Sequence, residues 1–530
     1  MKILKENSNT AFLILPLIVL CMGQFGTSAD NNFLAIGASA IISNLNANIS
    51  DISLANSVYS LIAASFMIAG GLIAIVLKLK NTLRIGLVMI SIGEFCLAFS
   101  PNITFFIWVG RVLTGLGASL LIPSVLGLVA AIYENKQRAI AFGFIGTATG
   151  IAKIFGMVVG GYIIDFFGFR FAFAILGFYF IIVLIMSIFI PQTSTENKKI
   201  RFDFIGTIIA SLGLFLFVIG INKISVWGLI TPIKPPFEFF GISPALLSIL
   251  IGIILLTILI PIEKKIEEKH GSALLPKSFY SNPAVRNGLY GCAMVFGGLG
   301  AIIIVIDPFF MLVAGFSAGQ TGIAVLPASI MMILFSMGVP KLFPDINRQL
   351  AIRIAYVSFI IGFILCGFGM EANGVNMLMY IGLSFCGAAM GILTSQADSV
   401  VANSVNKRDA QQSGGIQATT RNIGESIIIA LLGMFLTFML PLHYSNTIQK
   451  QPISEETKNF LHDKKFRFMS NQQFNSLISN QNPSDQSILK NAYISDRLHI
   501  SKIAMFFAAF IAFLSLFGTS HIPKFHTKQE

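Results

Sequence analysis

The chain has 530 residues, 55% hydrophobic and only 11% charged, with a mean hydropathy of +0.79. A soluble domain carries roughly 25% charged residues, so the composition excludes an ordinary water-soluble protein and points to a polytopic membrane protein. The net charge of +12 is spread thinly between apolar runs; without one basic face it argues for membrane topology and against a nucleic-acid partner.

At the N-terminus, Lys2, Lys5, the apolar stretch Ala11–Met22 and the small residues of "TSA" have the outline of a secretory signal. The apolar run that resumes at Phe33 favours an uncleaved first span instead. Segments long enough to cross about 30 Å of hydrocarbon then recur along the chain. Fourteen spans are expected, at 12–40, 54–77, 84–99, 104–132, 139–164, 171–190, 203–222, 243–261, 284–314, 320–340, 351–370, 375–403, 411–441 and 500–519. Lys and Arg gather at the ends that face inward if the N-terminus is inside, while the short outer loops hold Arg170, Lys223 and Lys234. That bias places both termini in the cytoplasm. The charge run "EKKIEEKHG" at 263–271 reads as a solvated connector, and the Ser/Asn/Gln-rich stretch 442–499 as a long solvated outer loop that caps the outer mouth.

Charged groups inside spans are costly and face a bundle interior or a wet cavity. Eight stand out: Asp30, Glu94, Arg111, Lys153, Asp307, Asp398, Arg421 and Glu425. By helix rise, Asp30, Arg111, Lys153 and Asp307 fall in the outer half of the bilayer, two anions and two cations sharing one site. Depth pairs Asp30 with Lys153 across spans 1 and 5. Arg421 and Glu425, four apart on span 13, read as a same-face ion pair. Glu94 has no partner on its own span and reads as a structural hydrogen bond. Asp398, toward the cytoplasmic end of span 12, is expected to line an inward-open vestibule. The six histidines all lie in loops or at span ends, so a proton carrier within the bilayer has to be a carboxylate. The five cysteines, Cys21, Cys96, Cys292, Cys366 and Cys386, sit in apolar runs with no metal spacing and read as packing residues; no metal and no cofactor is expected. There is no GxxxxGK[ST] phosphate loop, and no clustered nucleophile and base mark an enzyme. Along span 5, Gly146, Gly150, Ala152, Gly156 and Gly160 form small-residue stripes that let helices approach closely.

Several stretches together resemble the major facilitator superfamily, specifically its fourteen-span drug:proton antiporter family. "ADNNFLAIGAS" is similar to the first-span motif, with Asp30 in the acidic position, and "GRVLTGLGAS" to the fourth-span motif through Arg111, Gly115, Gly117 and Ala118. "GMVVGG" and "GFRFAF" resemble the fifth-span antiporter motif and its exit through Gly156, Gly160, Gly161, Gly168 and Arg170. "RFDFIG", "ALLPKSF", "GFSAGQTGIAVLP" and "GIQATTRNIG" fall where the family has similar stretches. Two departures concern gating and coupling. The stretch "GGLIAIVLKLKNTLRIG" between spans 2 and 3 lacks the family's acid, and in span 5 Met157 replaces a proline while Lys153 stands where the motif is apolar.

The resemblance implies an all-α membrane fold of six, two and six helices: a first half at 1–190, a linker with two inserted spans at 191–283, and a second half at 284–530. Each half would be built from inverted three-helix repeats. Spans 1, 4, 9 and 12 would line a central cavity holding Asp30, Asn31, Asn32, Arg111, Asp307 and Asp398, with Gly115, Gly156, Gly160 and Gly161 as packing and gating glycines. The function implied is proton-coupled export of a small amphipathic drug or metabolite by alternating access, from an inner or plasma membrane. Asp30 is the first proton carrier expected and Asp307 the second. Arg111 holds span 1 in register and tunes Asp30; Lys153 serves as a fixed counter-charge or contacts an acidic substrate. Expected partners are the substrate, protons and lipid, with a periplasmic adaptor if the host is Gram-negative. An uptake carrier of an anionic or zwitterionic solute is the alternative, and a membrane receptor or enzyme a remote one.

Overall fold

In hydrocarbon a backbone N–H or C=O finds no water, so a chain this apolar closes its hydrogen bonds within helices. The computed structural model describes residues 2–47, 49–192, 203–232, 235–237, 241–270, 273–372, 374–454, 457–458, 469 and 471–524. These residues are helical apart from loops and a short antiparallel pairing of Met370–Glu371 with Gly374–Val375. The long helices are α1 (Lys2–Ile36), α2 (Ile49–Val76), α3 (Leu79–Ala98), α4 (Ile103–Ile132), α5 (Asn135–Phe155), α6 (Gly161–Met186) and α7 (Phe204–Trp227). They continue with α8 (Pro244–His270), α9 (Pro283–Val313), α10 (Gly319–Leu342), α11 (Arg348–Gly369), α12 (Met377–Asn403), α13 (Lys407–Gln449) and α14 (Pro483–Ser515).

Among the described residues 13 helices, α2 to α14, are long and apolar enough to cross a membrane. α1, whose side chains are described from Ile14 onward, lies outside that count. Helix starts follow capping chemistry, in which a side-chain oxygen accepts from an otherwise orphaned N–H. Asp203 accepts from Gly206 N at 2.9 Å, Asn282 from Ala284 N at 2.9 Å, Asn376 from Leu378 N at 2.9 Å and Asn406 from Asp409 N at 2.8 Å.

Three large apolar cores organise the bundle. One is built from α1 to α6, around Phe33, Phe106, Phe169 and Phe173. A second is built from α9 to α14, around Phe309, Tyr356, Phe359 and Met505. The third joins the two groups of helices, packing Leu20, Met67, Leu126 and Phe142 with Val285, Cys292, Ala397, Val401 and Ile416. The α7–α8 pair leans on α2 through Ala210, Leu259 and Leu72, and on α13 through Ile221, Ala245 and Ala430.

The stretch 442–499 differs from a solvated loop in its described parts. α13 runs on to Gln449, a short helix covers Asn471–Ile478, and α14 begins at Pro483. Phe474 stacks on Tyr493 with centroids 4.0 Å apart, and Tyr444 packs edge-on against both. Fully buried Arg497 donates to the carbonyl of Leu312 at 3.1 Å, pinning this cap to the end of α9. Three aromatic residues scattered through a polar stretch leave composition unchanged, and only packing brings them together.

Candidate functional site

Two residues on α1 and one on α4 make the first cluster. Arg111 donates to both carboxylate oxygens of Asp30, at 2.7 and 2.9 Å, with the arginine fully buried and the aspartate 2% exposed. Its other nitrogens donate to Asn31 Oδ1 at 3.3 Å and to the Ala55 carbonyl at 3.3 Å, and the guanidinium lies 4.5 Å from the centre of the Tyr59 ring. Fully buried Glu94 on α3 faces the Asp30 carboxyl, and neither of its oxygens has a donor among the described residues. The site therefore holds two carboxylates and one cation, with Glu94 a member that single-span reading assigned to structure alone.

Asp30 thus pairs with Arg111 and not with Lys153, correcting the match by depth. Equal depth says nothing about azimuth, and Lys153 points across to α9 and α13, within electrostatic reach of Asp307 and Glu425. Asn32 instead bridges α1 and α5, donating to the Ala152 carbonyl at 3.3 Å and to Ser28 at 3.0 Å. This bridge needs Gly156, where any Cβ would meet the Asn32 side chain at 2.5 Å; Gly160 is pressed equally against Phe33. Gly115 packs on Ile62 and the Tyr59 carbonyl, whereas Gly161 meets nothing closer than Ile36 at 3.9 Å and is not a close-packing position.

Arg421 leaves Glu425 unpaired and turns to Asp398 on α12, a closer carboxylate than the neighbour on its own helix; the two form a buried ion pair. Cys292 on α9 donates to the same aspartate at 2.9 Å, a polar role beyond packing. Asp398 is fully buried in this conformation, so it is a charge-pair residue and lines no vestibule here.

Helical distortion marks three of the charged positions. A π-helical segment at Phe106–Arg111 ends on Arg111, another at Gly156–Gly160 begins three residues after Lys153, and two more, Ile302–Ile306 and Phe309–Val313, flank Asp307. Such bulges re-aim side chains and occur often at functional sites. No residue pattern announces them.

Polar contacts join the two groups of helices where α5 begins and α12 ends. Arg138, 3% exposed, donates to Tyr133 and Ala130 carbonyls on its own side and, across the seam, to the Ala402 carbonyl at 2.9 Å and to Asn403 Oδ1. Lys136 reaches Asp345 at 2.5 Å, and Thr147 shares a 2.9 Å hydrogen bond with Ser336. The loop between α2 and α3, lacking its acid, is not where the charged closure lies. A separate apolar groove of about 770 Å³ runs between α1, α5 and α6, lined by Ile14, Ile18, Phe25, Phe144, Ile151 and Tyr179 among others. Among the described residues no group of three or more His, Cys, Asp and Glu is placed to hold a metal ion.

A sequence profile described as Major Facilitator Superfamily matches residues 20–429. The chain belongs to the major facilitator superfamily. It is accordingly a multi-pass membrane protein and a secondary transporter of a small molecule coupled to an ion, and not an enzyme. Among relatives, it is 22% identical over 413 residues to the probable actinorhodin transporter of Streptomyces coelicolor, covering 76% of this chain and 69% of that one. It is 21% identical over 431 residues to the multidrug efflux pump SdrM of Staphylococcus aureus, covering 79% of this chain and 89% of that one. The fold resembles the human organic anion transporter MFSD10, with a TM-score of 0.59 at 12% identity over 96% of this chain and 99% of that one. That facilitator fold is the fold expected from the motifs.

Proposed function

We propose that this protein is a proton-coupled exporter of a small amphipathic compound, of the fourteen-span drug:proton antiporter type, working by alternating access in a cell membrane with both termini cytoplasmic. α1 is then the fourteenth span, tolerated in lipid because its polar residues Asp30, Asn31 and Asn32 are turned to Arg111 and α5. The halves are 1–190 and 284–530, with α7 and α8 inserted between them. The seam closed by Arg138 is the cytoplasmic gate, so the present conformation faces outward.

One observation carries the coupling: buried Asp30 and Glu94 face each other with one guanidinium between them and the rest of the bundle. Two carboxylates and one arginine balance when they share a single proton, so one proton enters or leaves as the cluster changes partners. Asp30 is the carrier and Glu94 its proton-sharing neighbour; Arg111 holds Asp30 in place. The relatives named for actinorhodin transport and multidrug efflux support an exported drug-like compound.

Proteoliposomes with an imposed pH gradient test this. Wild type is expected to accumulate substrate only when the gradient is present, and Asp30→Asn to lose gradient-driven accumulation while keeping substrate exchange. Full gradient-driven transport by Asp30→Asn removes Asp30 from the coupling. An uptake carrier, the reading favoured by the missing acid between spans 2 and 3, would load right-side-out vesicles and leave energised inverted vesicles empty.

A further inference from the structure

Lys153, Asp307 and Glu425 form a charged group that the proton step at Asp30 does not use. Lys153 comes from α5, in one half, and the two carboxylates from α9 and α13, in the other. All three side chains are only partly buried, unlike those of Asp30, Arg111, Asp398 and Arg421. The two buried ion pairs among the described residues, Asp30–Arg111 and Asp398–Arg421, are in direct contact. These three are not: Lys153 feels both carboxylates with no direct ion pair or hydrogen bond to either, and Asp307 Oδ1 is buried with no hydrogen-bond partner.

The carboxylates also stand at different depths. A Cβ at Gly300 would lie 3.0 Å from the Glu425 carbonyl, so these two are level where α9 crosses α13. Asp307 is seven residues farther along α9, about 10 Å by helix rise. One cation and two anions, on facing helices at different depths and without direct contact, suit neither a simple cation, which would confront Lys153, nor a simple anion, which would confront two carboxylates. The geometry points to a subsite for a zwitterionic amphiphile, its carboxylate or phosphate group on Lys153 and its ammonium-type group on Asp307 or Glu425. The assignment rests on the transport reading and deepens it by naming a substrate class.

Equilibrium binding tests it without a pH gradient, so its failure is separable from failure of proton-driven export. The purified protein in lipid nanodiscs is titrated with rhodamine 110, a zwitterion, and with its methyl ester rhodamine 123, a cation of the same ring system, by fluorescence polarisation. Wild type is expected to favour the acid. Lys153→Met should weaken the acid about tenfold, the worth of one charge-assisted contact, and strengthen the ester, inverting the preference. Lys153→Arg should preserve the wild-type order, and Glu425→Gln or Asp307→Asn should weaken both probes. Size-exclusion profiles confirm that each variant is folded; if Lys153→Met is not, the Arg, Gln and Asn variants decide. Preference of wild type for the ester, binding of neither probe, or an unchanged ratio in folded Lys153→Met would each overturn the assignment.

Discussion

Replacing Arg111 by Met would leave Asp30 and Glu94 facing each other without their shared cation, and stranding buried charge costs about 3–5 kcal/mol. Arg111→Met is therefore expected to lose most of its folded yield and to melt well below wild type in detergent. Asp30→Asn leaves Arg111 with Glu94 as counter-ion and should keep near wild-type stability. Adding Lys153→Met to Asp30→Asn should not compensate, because these two side chains do not meet. The opposite holds for Asp398 and Arg421, which are direct partners. Arg421→Met alone should destabilise strongly, and Asp398→Asn with Arg421→Met together far less; thermal unfolding of the double-mutant cycle measures the coupling. Equal losses from Asp30→Asn and Arg111→Met would show that Glu94 does not share the arginine.

Arg138 joins the start of α5 to the end of α12 by donating to the Ala402 carbonyl, in the helix's last turn, and to Asn403 Oδ1. A hydrogen bond from a charged donor is worth about 1.5–3 kcal/mol, so Arg138→Gln should open the seam more often by about tenfold or more. Ser399, fully buried beside this seam, reports the change as a cysteine in an otherwise cysteine-free chain. Cys292→Ser keeps a donor for Asp398 in that background. Reaction of the residue-399 thiol with a water-soluble maleimide should accelerate on adding Arg138→Gln. Unchanged labelling would mean that the closure is held by apolar packing and not by this arginine. The π segments belong to the same level of organisation, since they set the direction in which Arg111, Lys153 and Asp307 point while leaving helix length almost untouched.

Alternating access requires the two groups of helices to part where they are now closed. Lys136, in the first turn of α5, and Asp345, after α10, meet across that closure at 2.5 Å and are both exposed. Cysteines at both positions, joined by a short bifunctional methanethiosulfonate linker, should arrest transport. Release of the linker by reductant should restore it. Transport that continues at the wild-type rate with the linker in place would mean that the seam does not open during the cycle.

Composition and apolar run length were enough to determine a helical membrane bundle, because lipid allows a chain of this hydropathy little else. The helix starts at Asp203, Asn282, Asn376 and Asn406 are set locally, since capping acts within a few residues of sequence. The motifs around Asp30 and Arg111 were legible too, and with them the superfamily. Depth along a helix was readable from residue count, but azimuth was not, which is why Asp30 was matched to Lys153 and Arg421 to Glu425. Only the packed bundle decided that Arg111 pairs with Asp30 beside buried Glu94, that Arg421 turns to Asp398, and that Lys153 faces Asp307 and Glu425 without a direct ion pair. These partners lie on different helices, brought together by apolar packing over the whole length of the chain. An intramembrane charge takes the nearest opposite charge in space, and distance in space is a property the linear sequence does not carry.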